Sequence, residues 1–283
     1  MSWVLGLNAF HADAAARLLR DGRLVCAVEQ ERLNRVKHWG GFPDQAIAWC
    51  LAEAGIGLGD LAAVALNRDG RAARWHKLAY VVGRRPSPRL LLSKLRGRRR
   101  WTSTEERLAA AFPGQRFAGQ VMAVEHHLAH LASAFWCSPF REATVVSLDG
   151  FGDFASAAWG RGGEEGLTLE GRVRFPHSLG LFYEAATQFL GFPNYGDEYK
   201  VMGLAPYGEP VHRRALEQVL RLQRDGRYEL NLDYFRHHRE DVAFQWRPEA
   251  AGGAGGNARG GLWTPAPGAL LGPAPGPPPP PGQ

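Results

Sequence analysis

Three histidines fall within five residues at His126, His127 and His130, and the first and last are four apart. On a helix, positions i and i+4 share one face, so two imidazole rings can converge on one cation without backbone strain. Asp149 stands where the apolar run Ala143 to Leu148 ends, and open α/β sheets place ligand-contacting loops at the carboxyl ends of their strands. Two imidazoles and a carboxylate make a facial set with open positions, favoured by non-haem iron and also used by zinc. No H-E-x-x-H occurs, which disfavours a metalloprotease helix. The same spacing describes neutral imidazoles on an apolar helix face, with Asp149 an ordinary turn residue before Gly150, and at this level both readings stand.

Asp149-Gly150-Phe151-Gly152-Asp153 has two readings of its own. Glycines between strands let backbone N–H groups approach phosphate oxygens, and a bound cation would offset the repulsion from the aspartates. A hairpin turn asks for the same residues, so the pattern points to phosphate only in company. Arg32, Arg35, Lys37 and His38 form a compact cationic set suited to a phosphate or carbamoyl donor, and equally to a wet helix of alternating charge. Gly196-Asp197-Glu198-Tyr199-Lys200 adds a further cation. His11 with Asp13 offers a base and an orienting acid, or a loop histidine beside a capping aspartate.

Elements must position these groups. Trp3 to Leu7, Ala14 to Leu19 and Arg23 to Glu29 read as strands, the last two joined at Asp21-Gly22, a strong hairpin signal. That order puts Asn8, Ala9, Phe10 and His11 in the first loop. Asp44 to Ala54, with Ala46, Ile47, Trp49, Cys50, Leu51 and Ala54 apolar, predicts a helix on this sheet, begun at Pro43 and ended by Gly55. Leu61 to Leu66 reads as another buried strand. Gln120 to Val124 is β-prone and leads directly into the histidine-bearing helical stretch that ends at Trp136. Ala143 to Leu148 is a continuous apolar strand, Asp149 to Asp153 a glycine-punctuated turn, and 154–159 and 167–175 are further strands before a helix over Ser178 to Leu190. A glycine-turned meander followed by a helix thus occurs twice.

A chain of 283 residues, 45% hydrophobic and 22% charged, suits about two domain-sized units and excludes wholesale disorder, a collagen repeat and a coiled coil. The net charge of +6 is local: Arg68 to Arg100 holds twelve Arg and Lys against one acid, Asp69, and the remainder is net acidic. This segment reads as a solvated insertion, and nucleic acid is not the expected partner. Cys26, Cys50 and Cys137 show no C-x-x-C spacing, so neither a disulfide framework nor a cysteine zinc site is indicated. With no signal-like start and no run of about 18 apolar residues, the expectation is a cytoplasmic protein without a membrane span. Residues 250–283 contain ten Gly, nine Pro and seven Ala, too little apolar surface to offset ordering entropy of about 1–2 kcal/mol per residue, so the tail over 247–283 is expected to be disordered.

Taken in order, Gly6 to Ala15, Glu29 to Leu33 with Arg35 to His38, His126 to His130, Leu148 to Gly150, and Gly196 to Gly208 resemble the carbamoyltransferases of nodulation-factor and antibiotic biosynthesis, over roughly 1–246. The resemblance implies an α/β fold of two lobes, of the ribonuclease H-like type shared by actin, sugar kinases and Hsp70. The first lobe would span 1–140 with a basic insertion at about 68–116, and an incomplete second lobe 141–246. Such enzymes make carbamoyladenylate from carbamoyl phosphate and ATP in a C-terminal YrdC-like domain, then pass the carbamoyl group to a substrate hydroxyl in the N-terminal domain. By resemblance, His126, His130 and Asp149 would hold Fe(II), or zinc or another divalent metal. Asp149, Gly150, Gly152 and Lys200 would line the nucleotide, His11 would be the base for the acceptor hydroxyl, and Lys37 would neutralise charge near the acyl-adenylate. The acceptor would be a small hydroxylated metabolite. The YrdC-like domain and the family's fourth metal ligand have no counterpart here, so the expectation is an N-terminal portion of such an enzyme. The alternatives are a noncatalytic metal- or nucleotide-binding remnant, or a metabolite kinase of the same superfold.

Overall fold

Alternating apolar residues and a two-residue Asp-Gly link build the first meander. In a computed structural model describing residues 1–84, 103–192, 194–240, 242, 261–264 and 270–272, β1 (Trp3–Asn8) pairs antiparallel with β2 (Ala15–Arg20), and β2 with β3 (Arg23–Glu29). Asp21 and Gly22 both take positive φ, 48° and 79°, the turn whose twist matches that of the flanking strands. The short helix α1 (Gln30–Asn34) follows and stops at Arg35, which is left-handed at φ 59°. Helix α2 (Asp44–Ala54) then lies on β2 and β3, because Ala46, Ile47, Cys50 and Leu51 recur at helical spacing and bury against Leu5, Leu7 and Leu18. Gly55, at φ 64°, closes it with the αL cap that favours glycine.

On the far side of β1 runs β4 (Leu61–Leu66), parallel to it, and β5 (Gln120–Ala123) runs parallel to β4, giving the order β3-β2-β1-β4-β5. Between β4 and β5 come α3 (Arg74–Arg84) and α4 (Thr104–Ala111), the latter begun by a capping box between Ser103 and Glu106. Residues 85–102, which carry most of the basic segment, lie outside the described residues. Burial, then the neighbouring Cys26, pushes the Cys50 thiol up to about 12. Cys26 and Cys50 are both buried, whereas Cys137 is exposed. A thiolate is the reactive form, so titration of the native protein with a disulfide reagent should find one fast thiol, and none in Cys137→Ser.

The chain divides into two compact units, and the division falls within one continuous helix, α5 (His126–Trp136), between Ala129 and His130. The described part of the first unit is Met1–Ala72 with 103–129. The second contains α3 and a three-stranded antiparallel sheet, β6 (Ala143–Gly152), β7 (Ala155–Gly163) and β8 (Gly166–Arg174), followed by α6 (Leu179–Phe189), α7 (Glu198–Leu204), α8 (Arg213–Val219) and the hairpin β9 (Leu220–Leu222) and β10 (Tyr228–Leu230). Among the described residues no helix is long and apolar enough to cross a membrane.

Two expectations need correction here. Asp149 to Gly152 is not a turn: β6 runs through it with an irregular register between Leu148 and Gly152, and the turn is Asp153-Phe154, both at positive φ. The strand bulges between Leu148 and Gly152, and Gly152 regains its partner Ala155 on β7 immediately before the turn. Within the Gly/Pro/Ala-rich tail, residues 261–264 are packed: Leu262 is buried, Trp263 stacks on Phe235, and its indole N–H donates to the Ala185 carbonyl. A large apolar side chain and an aromatic one supply there the burial that the surrounding composition lacks. Residues 273–283 lie outside the described residues.

Candidate metal centre

Helix α5 starts where the Glu125 carboxylate accepts the Leu128 N–H at 2.9 Å and the Glu125 carbonyl accepts that of Ala129. Its later turns are fixed by Leu131 and Phe135, four apart, which pack on Val145 of β6 and Ala158 of β7. Gly162 on β7 is required there, since the Phe135 ring fills the space a Cβ would take. The helix is thereby laid on the sheet with His126 and His130 one turn apart.

Asp149 is oriented by its own neighbourhood. Its Oδ1 accepts the Gly150 N–H at 2.6 Å, and its carbonyl accepts the Ser178 hydroxyl at 3.0 Å. Ser178 in turn caps α6 by accepting the Leu181 N–H at 3.0 Å. Gly180 packs so closely that a Cβ would come within 2.7 Å of the Asp149 carbonyl and the Gly150 nitrogen. Asp149 Oδ2 is left facing His130, 3.7 Å from its Nε2. That is too long for a hydrogen bond and short enough for both atoms to reach one ion about 2.1 Å from each. His126, buried at 6% exposure, completes the set, and the ligand atoms of the three residues all lie within 4.8 Å of one another. Two imidazole nitrogens and a carboxylate oxygen suit a borderline divalent cation such as Fe(II) or Zn(II).

His11, exposed in the loop after β1, has its ring 5.7 Å from that of His126. Asp13 accompanies His38: Asp13 Oδ1 and His38 Nδ1 are 2.8 Å apart, and the His38 N–H donates to Glu31 Oε2 at 3.0 Å. Asp13, Glu31 and His38 form a second cluster of ligand-competent atoms, all partly exposed. Backbone bonds from Phe10 N–H to Gly41 O and Ala14 N–H to Trp39 O zip the same two loops together. The Asp13–His38 pairing was not visible in the sequence, since its partners are separated by 25 positions and each has a duller local role to play.

Lys37 is exposed on the loop after α1. Lys200, on α7, is held 2.6 Å from Asp197 Oδ1, and that hydrogen bond raises its pKa above the ordinary lysine value. It also lies 5.8 Å from the Phe192 ring. Gly150 and Gly152 belong to β6, and the Gly150 N–H is engaged by Asp149.

Residues 3–246 match the family model described as the carbamoyltransferase N-terminus. The uncharacterized protein sll1178 of Synechocystis is 38% identical over 247 residues, covering 84% of this chain and 40% of that protein. Nodulation protein NolNO of Sinorhizobium fredii is 38% identical over 231 residues, covering 80% of this chain and 32% of that protein. The chain therefore spans about 40% or less of the length of these relatives. Among solved structures, YeaZ from Pseudomonas aeruginosa aligns at 18% identity and a TM-score of 0.33, covering 62% of this chain and 68% of that one.

Proposed function

The chain belongs to the carbamoyltransferase family, in its N-terminal part, and from that premise we propose that it passes a carbamoyl group from carbamoyladenylate to a hydroxyl of a small metabolite. Carbamoyl phosphate and ATP are the sources of the adenylate in this reading, and a YrdC-like domain of the longer relatives is its maker. The chain's two units are read as lobes of the actin, sugar-kinase and Hsp70 type. The observation that carries the proposal is the convergence of His126, His130 and Asp149, with His11 against His126.

In this reading His126, His130 and Asp149 hold a divalent cation, Fe(II) in the first instance, with zinc the other candidate of matching donor chemistry. When bound, such an ion supplies positive charge that orients and polarises an adenylate. The chain's own residues do the rest. A ring nitrogen of His11 takes the proton of the acceptor hydroxyl as its oxygen attacks the carbamoyl carbon, and AMP leaves. Lys37 sets its ammonium against the negative charge of the acyl-adenylate. The Asp13–His38 bond and the two backbone bonds beside it keep the His11 and Lys37 loops in fixed register. Asp149, with one oxygen occupied by Gly150, presents the other in a single direction.

Supplying synthetic carbamoyladenylate, radiolabelled in the carbamoyl carbon, tests the proposal without the adenylate-forming step. With a pool of polyhydroxylated acceptors, the expected result is enzyme-dependent AMP release and label in a stable carbamate. His11→Ala should lower the rate by about a hundredfold or more, the usual scale for loss of a general base. AMP release no faster than in buffer, or unchanged in His11→Ala, would overturn it.

A further inference from the structure

We propose that the outward face of α3 docks on an anionic lipid bilayer, with the helix lying flat in the headgroup layer. A surface helix ordinarily turns its apolar stripe to the core. In α3 the stripe is turned out. Trp75, Leu78 and Val82 recur at intervals of three and four, so they share one face, and they are 80%, 53% and 68% exposed. The opposite face is fixed by Tyr80, whose ring lies 5.8 Å from that of Phe154 and 5.0 Å from that of Phe175, both edge-on. Its hydroxyl donates to the His238 carbonyl at 3.1 Å. At about 100° per residue, Tyr80 stands about 140° around the helix from Trp75 and about 160° from Leu78 and Val82. The contacts that seat α3 on the second unit therefore hold the stripe away from it.

The charge around the stripe has one sign. No Asp or Glu occurs in the sequence between Asp69 and Glu105, and α3 itself carries Arg74 and Lys77. Two more guanidinium groups, from Arg174 and Arg172 of β8, stand near enough to His76 that, after partial burial, their charge lowers its pKa. Tryptophan and aliphatic side chains on one face with cations beside them are the composition of an interfacial helix: the apolar groups enter the headgroup boundary and the cations meet lipid phosphates. A nucleic acid answers the cations but leaves Leu78 and Val82 without a partner. A peptide-binding groove on another protein encloses an amphipathic helix along its apolar anchors, whereas α3 is already seated through Tyr80 and offers only one face. A bilayer surface is flat and takes one face.

Cosedimentation with vesicles of phosphatidylglycerol and phosphatidylcholine in equal parts tests the proposal. The chain is expected to pellet with these vesicles and to stay in the supernatant with phosphatidylcholine alone. Its partition should fall at least about tenfold as salt shortens the Debye length from about 10 Å to about 3 Å. Leu78→Gln combined with Val82→Gln changes no charge and keeps helix propensity. It should lower partition into the anionic vesicles at least about tenfold while leaving thermal unfolding unchanged, since both side chains are already solvated. Absence of vesicle binding, equal binding to phosphatidylcholine alone, or binding unchanged in the double variant overturns the proposal. A double variant that unfolds several degrees lower also overturns it, by showing that the stripe packs within the chain. Retention on single-stranded RNA in place of vesicles would replace the bilayer with a nucleic acid.

Discussion

His130→Ala should strip the protein of its metal while leaving it folded. Elemental analysis of anaerobically purified protein is expected to find close to one iron per wild-type chain. In the variant, affinity should be lower by at least about a hundredfold, because even partners one step removed from a metal are worth about 10–100-fold. Two features keep this loss separable from misfolding. The His130 side chain is 49% exposed and contributes little to the core, so circular dichroism and thermal unfolding should barely change. His212→Ala, at an exposed histidine preceding α8, removes an imidazole from the surface and should retain full metal. Equal metal content in His130→Ala and wild type would sink the ligand assignment, whatever the activity.

Gly180→Ala acts on the same centre from behind. A methyl at this position meets the Asp149 carbonyl and the Gly150 nitrogen at 2.7 Å, and these are backbone atoms that cannot rotate away. Either α6 lifts from the end of β6 or Asp149 is pushed forward. Overpacking of this kind costs about 3 kcal/mol, which for a unit of this size lowers the midpoint of thermal unfolding by about 6–12 °C. Metal retention should fall with it, because the displaced backbone carries the carboxylate. The matched control is Gly203→Ala on α7, where nothing lies within 4 Å of the added methyl. There the better helix propensity of alanine should leave stability unchanged or raise it by up to about 1 kcal/mol. A Gly180→Ala protein as stable as wild type and fully metallated would refute the close packing described at this junction.

What could be read from the residues was local. Asp21-Gly22 announced the first hairpin because the turn demands positive φ, and the spacing of Ala46, Ile47, Cys50 and Leu51 announced α2 because a helix repeats its face every three to four residues. The pair His126 and His130 was legible for the same reason, one turn of helix being a short-range object. What escaped was set by tertiary contact. The glycines after Asp149 looked like a turn, and the strand resumes because Gly152 pairs with Ala155 of β7 beyond the irregularity that follows Leu148. Asp13 looked like a partner for its neighbour His11, but it meets His38 across a loop whose path depends on α1 ending at Arg35. Leu262 and Trp263 were hidden by their surroundings, because composition averages over a window while burial is decided side chain by side chain.

The packing of those last two residues bears on where this protein can be trimmed. Similarity to the family stops at residue 246, and a cut made there would look safe. It would instead pull an apolar plug: Leu262 fills the hollow bounded by Leu181, Ala185 and Phe235, and Trp263 roofs it. Emptied, that hollow becomes a wet, sticky hole in the second unit, so a shortened version would be prone to clump for reasons unrelated to its chemistry.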